Sequence, residues 1–137
     1  MDATAPHATV PAVAAFDLDG TLTDGGSVVR WLAAVAGGPR VRRSIAANAV
    51  PLLAGALRSG AAADDAKERL FVASLAGLDA EDVLAASVAF ADAHLRAKVR
   101  PEVAERLAAH LALGHVVVVV SASPALYVRR IAQDLGA

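Results

Sequence analysis

Five consecutive valines, Val116 to Val120, set between Gly114-His115 and Ser121-Ala122-Ser123, constrain the fold of this chain more than any other feature. β-Branched side chains lose rotamer freedom in a helix and fit a pleated strand. Without polar alternation, the run reads as a strand buried on both faces, as in a parallel sheet. A second run, Val10 to Leu18 (VPAVAAFDL), is also short and apolar and ends in acid and glycine, as a buried parallel strand does. Two such strands joined through helix imply parallel pairing and a right-handed crossover.

The sequence between them is helical in pattern. Ser27 is expected to cap a helix to about Ala36, stopped by Gly37-Gly38. Pro39 opens a second helix to about Arg58, kinked or broken near Pro51, with a break at Ser59-Gly60. Asp64 or Asp65 caps a third, ending at Gly77. Asp79 starts a fourth that reaches Lys98, with Glu81 and Asp82 at the positive end of its dipole. Pro101 opens a fifth, with Val103, Leu107 and Leu111 on one face and Gly114 at its end. Pro124 opens the last, with Ser123 as N-cap and Gly136 closing it. Residues 1–9 are small and polar and are expected to fray.

The helices between residues 27 and 98 are more than one crossover needs. The expected fold class is therefore α/β: a Rossmann-like parallel sheet with an inserted α-helical cap. Residues 10–24 and 99–137 form the core and residues 25–98 the cap.

Composition excludes several classes. The chain has 137 residues, 56% hydrophobic and 20% charged, which is globular and not disordered. Much of the apolar fraction is alanine, which favours helix but buries little area, so the core is thin. Net charge is −1 and aromatics are 4%, so nucleic acid is not an expected partner. There is no cysteine, which removes disulfide frameworks and fits a reducing compartment; a cytoplasmic location is expected. The first residues lack the positive and apolar regions of a signal peptide. The longest uncharged stretch, Ser44 to Leu57, is shorter than the roughly 20 residues of a membrane span. It also lacks the basic face of a surface-bound helix.

The chemistry concentrates in Phe16-Asp17-Leu18-Asp19-Gly20-Thr21-Leu22-Thr23, at the end of the first strand, where open α/β sheets place their ligands. Two carboxylates two apart would point to opposite faces of a continued strand. Gly20 bends the chain at once, so both can surround one pocket. Their mutual repulsion calls for a cation or a shared proton. Mg²⁺ suits them, being hard and commonly held by one or two carboxylates plus phosphate oxygens.

This segment resembles the first signature motif of the haloacid dehalogenase-like superfamily, Asp-x-Asp-Gly-Thr after an apolar strand. The resemblance implies that Asp17 is a nucleophile forming an aspartyl-phosphate. It implies that Asp19 is the general acid/base, and that Thr21 steadies the turn beside the substrate phosphate. Magnesium would be held by the Asp17 carboxylate and the Asp19 backbone carbonyl. The second acid favours phosphorus chemistry over dehalogenation.

Val116 to Ser123 is similar to the family's second motif, an apolar strand ending in Ser or Thr. Ser121 would then donate to a phosphoryl oxygen, assisted by the Ala122 N–H, beside the helix that starts at Pro124. A turn-capping role for Ser121 stays open. The helical segment between the motifs is similar to that of the subfamily IB hydrolases, the branch that includes phosphoserine phosphatase, although Ser121-Ala122-Ser123 replaces the Ser-Gly-Gly usual in that enzyme. The implied activity is magnesium-dependent hydrolysis of a small phosphorylated metabolite. The alternatives are a phosphotransferase or mutase with the same intermediate, or a non-catalytic binding module.

The family's third motif, a Lys or Arg, and its fourth, one or two further acids, have no counterpart before Ala137. The expectation that follows is a fragment that binds magnesium weakly and turns over slowly or not at all. Other residues read as ordinary structure. Asp24-Gly25-Gly26 is a hinge or a plain loop. Arg40, Arg42 and Arg43 are a solvated face, and Trp31 is core. His94, His110 and His115 are surface or helix-end residues without metal-ligand spacing.

Overall fold

The computed structural model describes residues 12–50, 52–53 and 61–137. The expectations for residues 1–11, for the Pro51 kink and for the break at residues 59–60 lie outside them. The elements run β1 (Val13–Asp17), α1 (Val28–Ala36), α2 (Gly38–Ala47), α3 (Ala61–Leu75), α4 (Ala80–Lys98), α5 (Pro101–Ala112), β2 (Val116–Val120) and α6 (Ala125–Asp134). This is the mixed α/β architecture expected, an incomplete Rossmann-like sheet with helices between its two strands.

Local chemistry sets most helix ends. The Asp79 carboxylate accepts from the Glu81 and Asp82 amides at 2.8 and 3.3 Å, satisfying donors that a helix start leaves free. Gly37, at φ 83°, separates α1 from α2. Helix α3 begins earlier than Asp64 or Asp65. It starts at Ala61, and Asp64 sits inside its first turn, because Ala61-Ala62-Ala63 continues a helix without penalty. Ser27 does occupy the N-cap position of α1, but its hydroxyl makes no capping bond.

The strands pair in parallel, Val13 with Val116 through Asp17 with Val120. Ala14, Phe16, Val117 and Val119 belong to the core or pack against it. The opposite face is open: Val116, Val118 and Val120 are 46%, 36% and 58% exposed. Burial of the valine strand on both faces is therefore not what the structure shows. Among the described residues, helices cover one face of a two-stranded sheet, and a strand's second face stays wet when no layer covers it.

One buried cluster runs from the sheet into the intervening helices. It joins Phe16, Leu18, Leu22, Leu107, Val117, Tyr127 and Ile131 to Trp31, Leu32, Val41, Leu70 and Ala91. Trp31 is its largest member. Its ring lies 5.5 Å from Tyr127, and its indole N–H donates to Ser87 Oγ at 2.9 Å, as a buried indole requires. The two ends of the helical segment meet: the Asp24 amide donates to the Lys98 carbonyl at 2.8 Å, and the Arg100 amide to the Leu22 carbonyl at 2.9 Å. Among the described residues no helix is long and apolar enough to cross a membrane.

Candidate active site

The turn after β1 is wound tightly by its own backbone. Gly20 N–H donates to the Thr23 carbonyl at 2.8 Å, Leu22 N–H to Asp17 at 3.1 Å and Thr23 N–H to Leu18 at 2.9 Å. Gly20 adopts φ 88°, a conformation that costs a residue with a Cβ about 1–2 kcal/mol. Leu18 and Leu22 are fully buried and anchor the turn from beneath. From outside, the Arg100 guanidinium donates to the Gly20 carbonyl at 3.0 Å.

This winding separates the two carboxylates by environment. Asp17, exposed at the tip of β1, accepts the Thr21 hydroxyl on Oδ2 at 3.0 Å. Thr21 thus touches the expected nucleophile directly. Asp19 is half-buried and turns toward the end of β2. Its Oδ2 accepts from Ser123 Oγ at 2.6 Å, while its Oδ1 is buried without a partner. The strand register brings Asp17 opposite Val120, the residue before Ser121.

Ser121 and Ala122 follow in the loop before α6. Ser121 Oγ accepts the Ser123 amide at 3.0 Å, which leaves its hydroxyl proton free to donate elsewhere. Ala122 is exposed. Ser123 does not cap α6 with its side chain. Pro124 holds the N-cap position, with no side-chain capping bond, and the Ser123 hydroxyl is committed to Asp19 instead.

Sequence reasoning missed three further residues. Ser27 and Tyr127 are fully buried, with their hydroxyl oxygens 2.6 Å apart, and Ser27 Oγ lies 3.4 Å from Ser123 Oγ. His94, expected at the surface, is buried, with its Nε2 unpaired and its ring stacked on Phe90 at 5.1 Å. Burial holds the imidazole below its ordinary range, helped by the positive charges of Arg30 and Lys98 and opposed by Asp19. The spacing of Ser87, Ala91 and His94, the buried stripe of α4, carries this signal in the sequence. Nothing local marks Ser123 or Ser27 as partners.

His110 and His115 do sit at a helix end and the strand start that follows, with their Nδ1 atoms 2.9 Å apart. Arg40, from the expected solvated face, donates to the Ala76 carbonyl, where the end of α3 favours a cation. A groove of about 580 Å³ runs between β1 and α5; Thr21 alone of the expected site residues lines it.

A family model for haloacid dehalogenase-like hydrolases matches residues 14–137. The chain belongs to that family. The match takes in β1 from its second residue, the carboxylate turn, the helices that follow and β2, so this is a hydrolase of the haloacid dehalogenase-like type with an incomplete Rossmann-like fold. No curated protein and no solved structure matches the chain.

Among the described residues no three His, Cys, Asp or Glu side chains gather as a metal site. The exposed Asp17 carboxylate has one oxygen not engaged by Thr21. Such a donor fits a loosely held Mg²⁺, which takes few protein ligands and completes its shell with water and phosphate.

Proposed function

We propose that this hydrolase acts on a small phosphate monoester through an aspartyl-phosphate on Asp17. The observation that carries the reading is the division of labour between the two carboxylates: one exposed at the strand tip, the other turned inward with one oxygen held and one free. A nucleophile must reach phosphorus, and an acid/base must be held beside it.

In the first half-reaction an oxygen of Asp17 forms a bond to phosphorus as the ester P–O bond breaks. A proton passes from Asp19 to the leaving oxygen. In the second half-reaction Asp19 takes a proton from water as that water attacks phosphorus. The acyl-phosphate bond then breaks, releasing inorganic phosphate and restoring the Asp17 carboxylate. Ser121, whose hydroxyl proton is uncommitted, and the Ala122 amide donate to phosphoryl oxygens where charge develops. Thr21 holds Asp17 in place. The Asp17 carboxylate and the Asp19 carbonyl would hold magnesium, which would supply positive charge to offset that of the phosphoryl group and the nucleophile.

The helices between Asp24 and Lys98 act as the cap that selects the substrate and excludes water. Their position, directly after the first motif, supports the subfamily IB branch that includes phosphoserine phosphatase.

The test is phosphate release from a panel of small esters with and without Mg²⁺. Asp17→Asn serves as control, and the protein is probed for a phosphoryl label that hydroxylamine removes. Metal-dependent release and a label, both lost in the variant, support the reading. Release that survives Asp17→Asn refutes it.

A further inference from the structure

Asp19 is held by a file of three hydroxyls that reaches into the core. Ser123 Oγ lies 2.6 Å from Asp19 Oδ2, Ser27 Oγ lies 3.4 Å from Ser123 Oγ, and Tyr127 lies 2.6 Å from Ser27. Each comes from a different place: Ser123 from the loop after β2, Ser27 from the residue before α1, Tyr127 from the first turn of α6.

Proton counting fixes the direction. Asp19 Oδ2 only accepts, whether the carboxyl is ionised or carries its proton on Oδ1, and a hydroxyl has one proton to give. Ser123 spends its proton on Asp19, so its oxygen is free only to accept, and Ser27 is the donor. Ser27 in turn has spent its proton and accepts from Tyr127. Burial pushes the Tyr127 phenol up from its ordinary range, against smaller downward pulls from the neighbouring Ser123 and Ser27 hydroxyls, so it keeps the proton this order needs.

Oδ2 is thus engaged from below, while Oδ1 is buried and unpartnered on the other side of the same carboxylate. The longest step, Ser27 to Ser123, is the joint between the intervening helices and the β2 loop. It exceeds the ordinary O–H···O range of 2.5–3.0 Å, and it is the step that a shift of α1 would open first.

We propose that Tyr127, Ser27 and Ser123 are positioning residues: a one-way donor file that fixes Oδ2 of Asp19, leaves the buried Oδ1 as its one uncommitted oxygen, and makes the orientation of the carboxyl depend on the seating of α1. This rests on Asp19 as the acid/base of the proposed reaction, so one arm of the test does not require turnover.

Tyr127 is the single tyrosine of the chain, and 3-fluorotyrosine labelling gives one ¹⁹F resonance. Asp19→Ala, two hydroxyls away, is expected to shift that resonance, as is Ser123→Ala. Ser123→Thr restores the original position, and Arg106→Ala, on the exposed side of α5, leaves it alone. A resonance unmoved by Asp19→Ala overturns the file.

The second arm is kinetic. Ser123→Ala is expected to lower kcat for an alkyl phosphate about tenfold, a fraction of what general acid catalysis supplies, with KM unchanged. It should spare 4-nitrophenyl phosphate, whose leaving group needs no proton. Equal slowing of both esters overturns the positioning role. If no ester turns over, the hydrolase reading and the positioning role fall together, and the fluorine result still decides whether the file exists.

Discussion

The two strand ends lie side by side, yet they are built by opposite means. The turn after β1 closes on itself through backbone bonds within residues 17–23 and a positive-φ glycine. The loop after β2 has one short internal bond, from the Ser123 amide to Ser121. The position of its Ser123 side chain depends on Asp19, Ser27 and Tyr127, all remote in sequence except the last. A segment wound by its own backbone keeps its shape when side chains change. A segment tied by long-range hydroxyls inherits the state of whatever it is tied to.

The strongest challenge to that contrast is Asp17→Asn. Turnover of 4-nitrophenyl phosphate should fall by about 10³-fold or more, while the thermal midpoint holds, because the turn does not need the carboxylate to close. A large loss of stability would show that the β1 turn is less self-contained than its backbone bonds imply.

Trp31→Ala tests the other side. Removing a buried tryptophan costs about 3–5 kcal/mol, read by urea unfolding. Because Trp31 packs on Tyr127, the 3-fluorotyrosine resonance should move as well. Gly20→Ala is a smaller and purely local perturbation. A Cβ there meets nothing within 4 Å, so the cost is the positive φ alone, about 1–2 kcal/mol. The resonance at Tyr127 should remain where it was.

The smallest effect concerns pH. His94, near both regions, has its folded pKa below the 6.5 of the free side chain. The unfolded chain therefore binds its proton more readily. The contribution is intact above pH 6.5 and declines as pH falls from there toward the folded value. Thermal midpoints at about pH 7.5 and about pH 5.5 should separate more in the wild type than in His94→Gln. Equal separations would mean that the imidazole is not desolvated.

What the sequence disclosed follows the same division. The carboxylate turn, the Asp79 cap, the Pro101 helix start and the valine strand are local, and each was readable from residues within a few positions. The bond from Ser123 to Asp19 spans 104 positions and has no local marker; a serine before Pro124 looks like a cap until its distant partner is known. His94 was legible only through the stripe of Ser87, Ala91 and His94, which its polar character hides. The valine run revealed a strand but not its open face, since exposure depends on which layers pack against it.

The backbone bonds that tie Asp24 to Lys98 and Leu22 to Arg100 have one more consequence. Departure and return of the chain lie a hydrogen bond apart, so a graft of different length at this point would leave the spacing of the stumps untouched. Loop closure grows only slowly with length. The intervening helices can therefore be exchanged at this doorway without disturbing the carboxylate turn beside it.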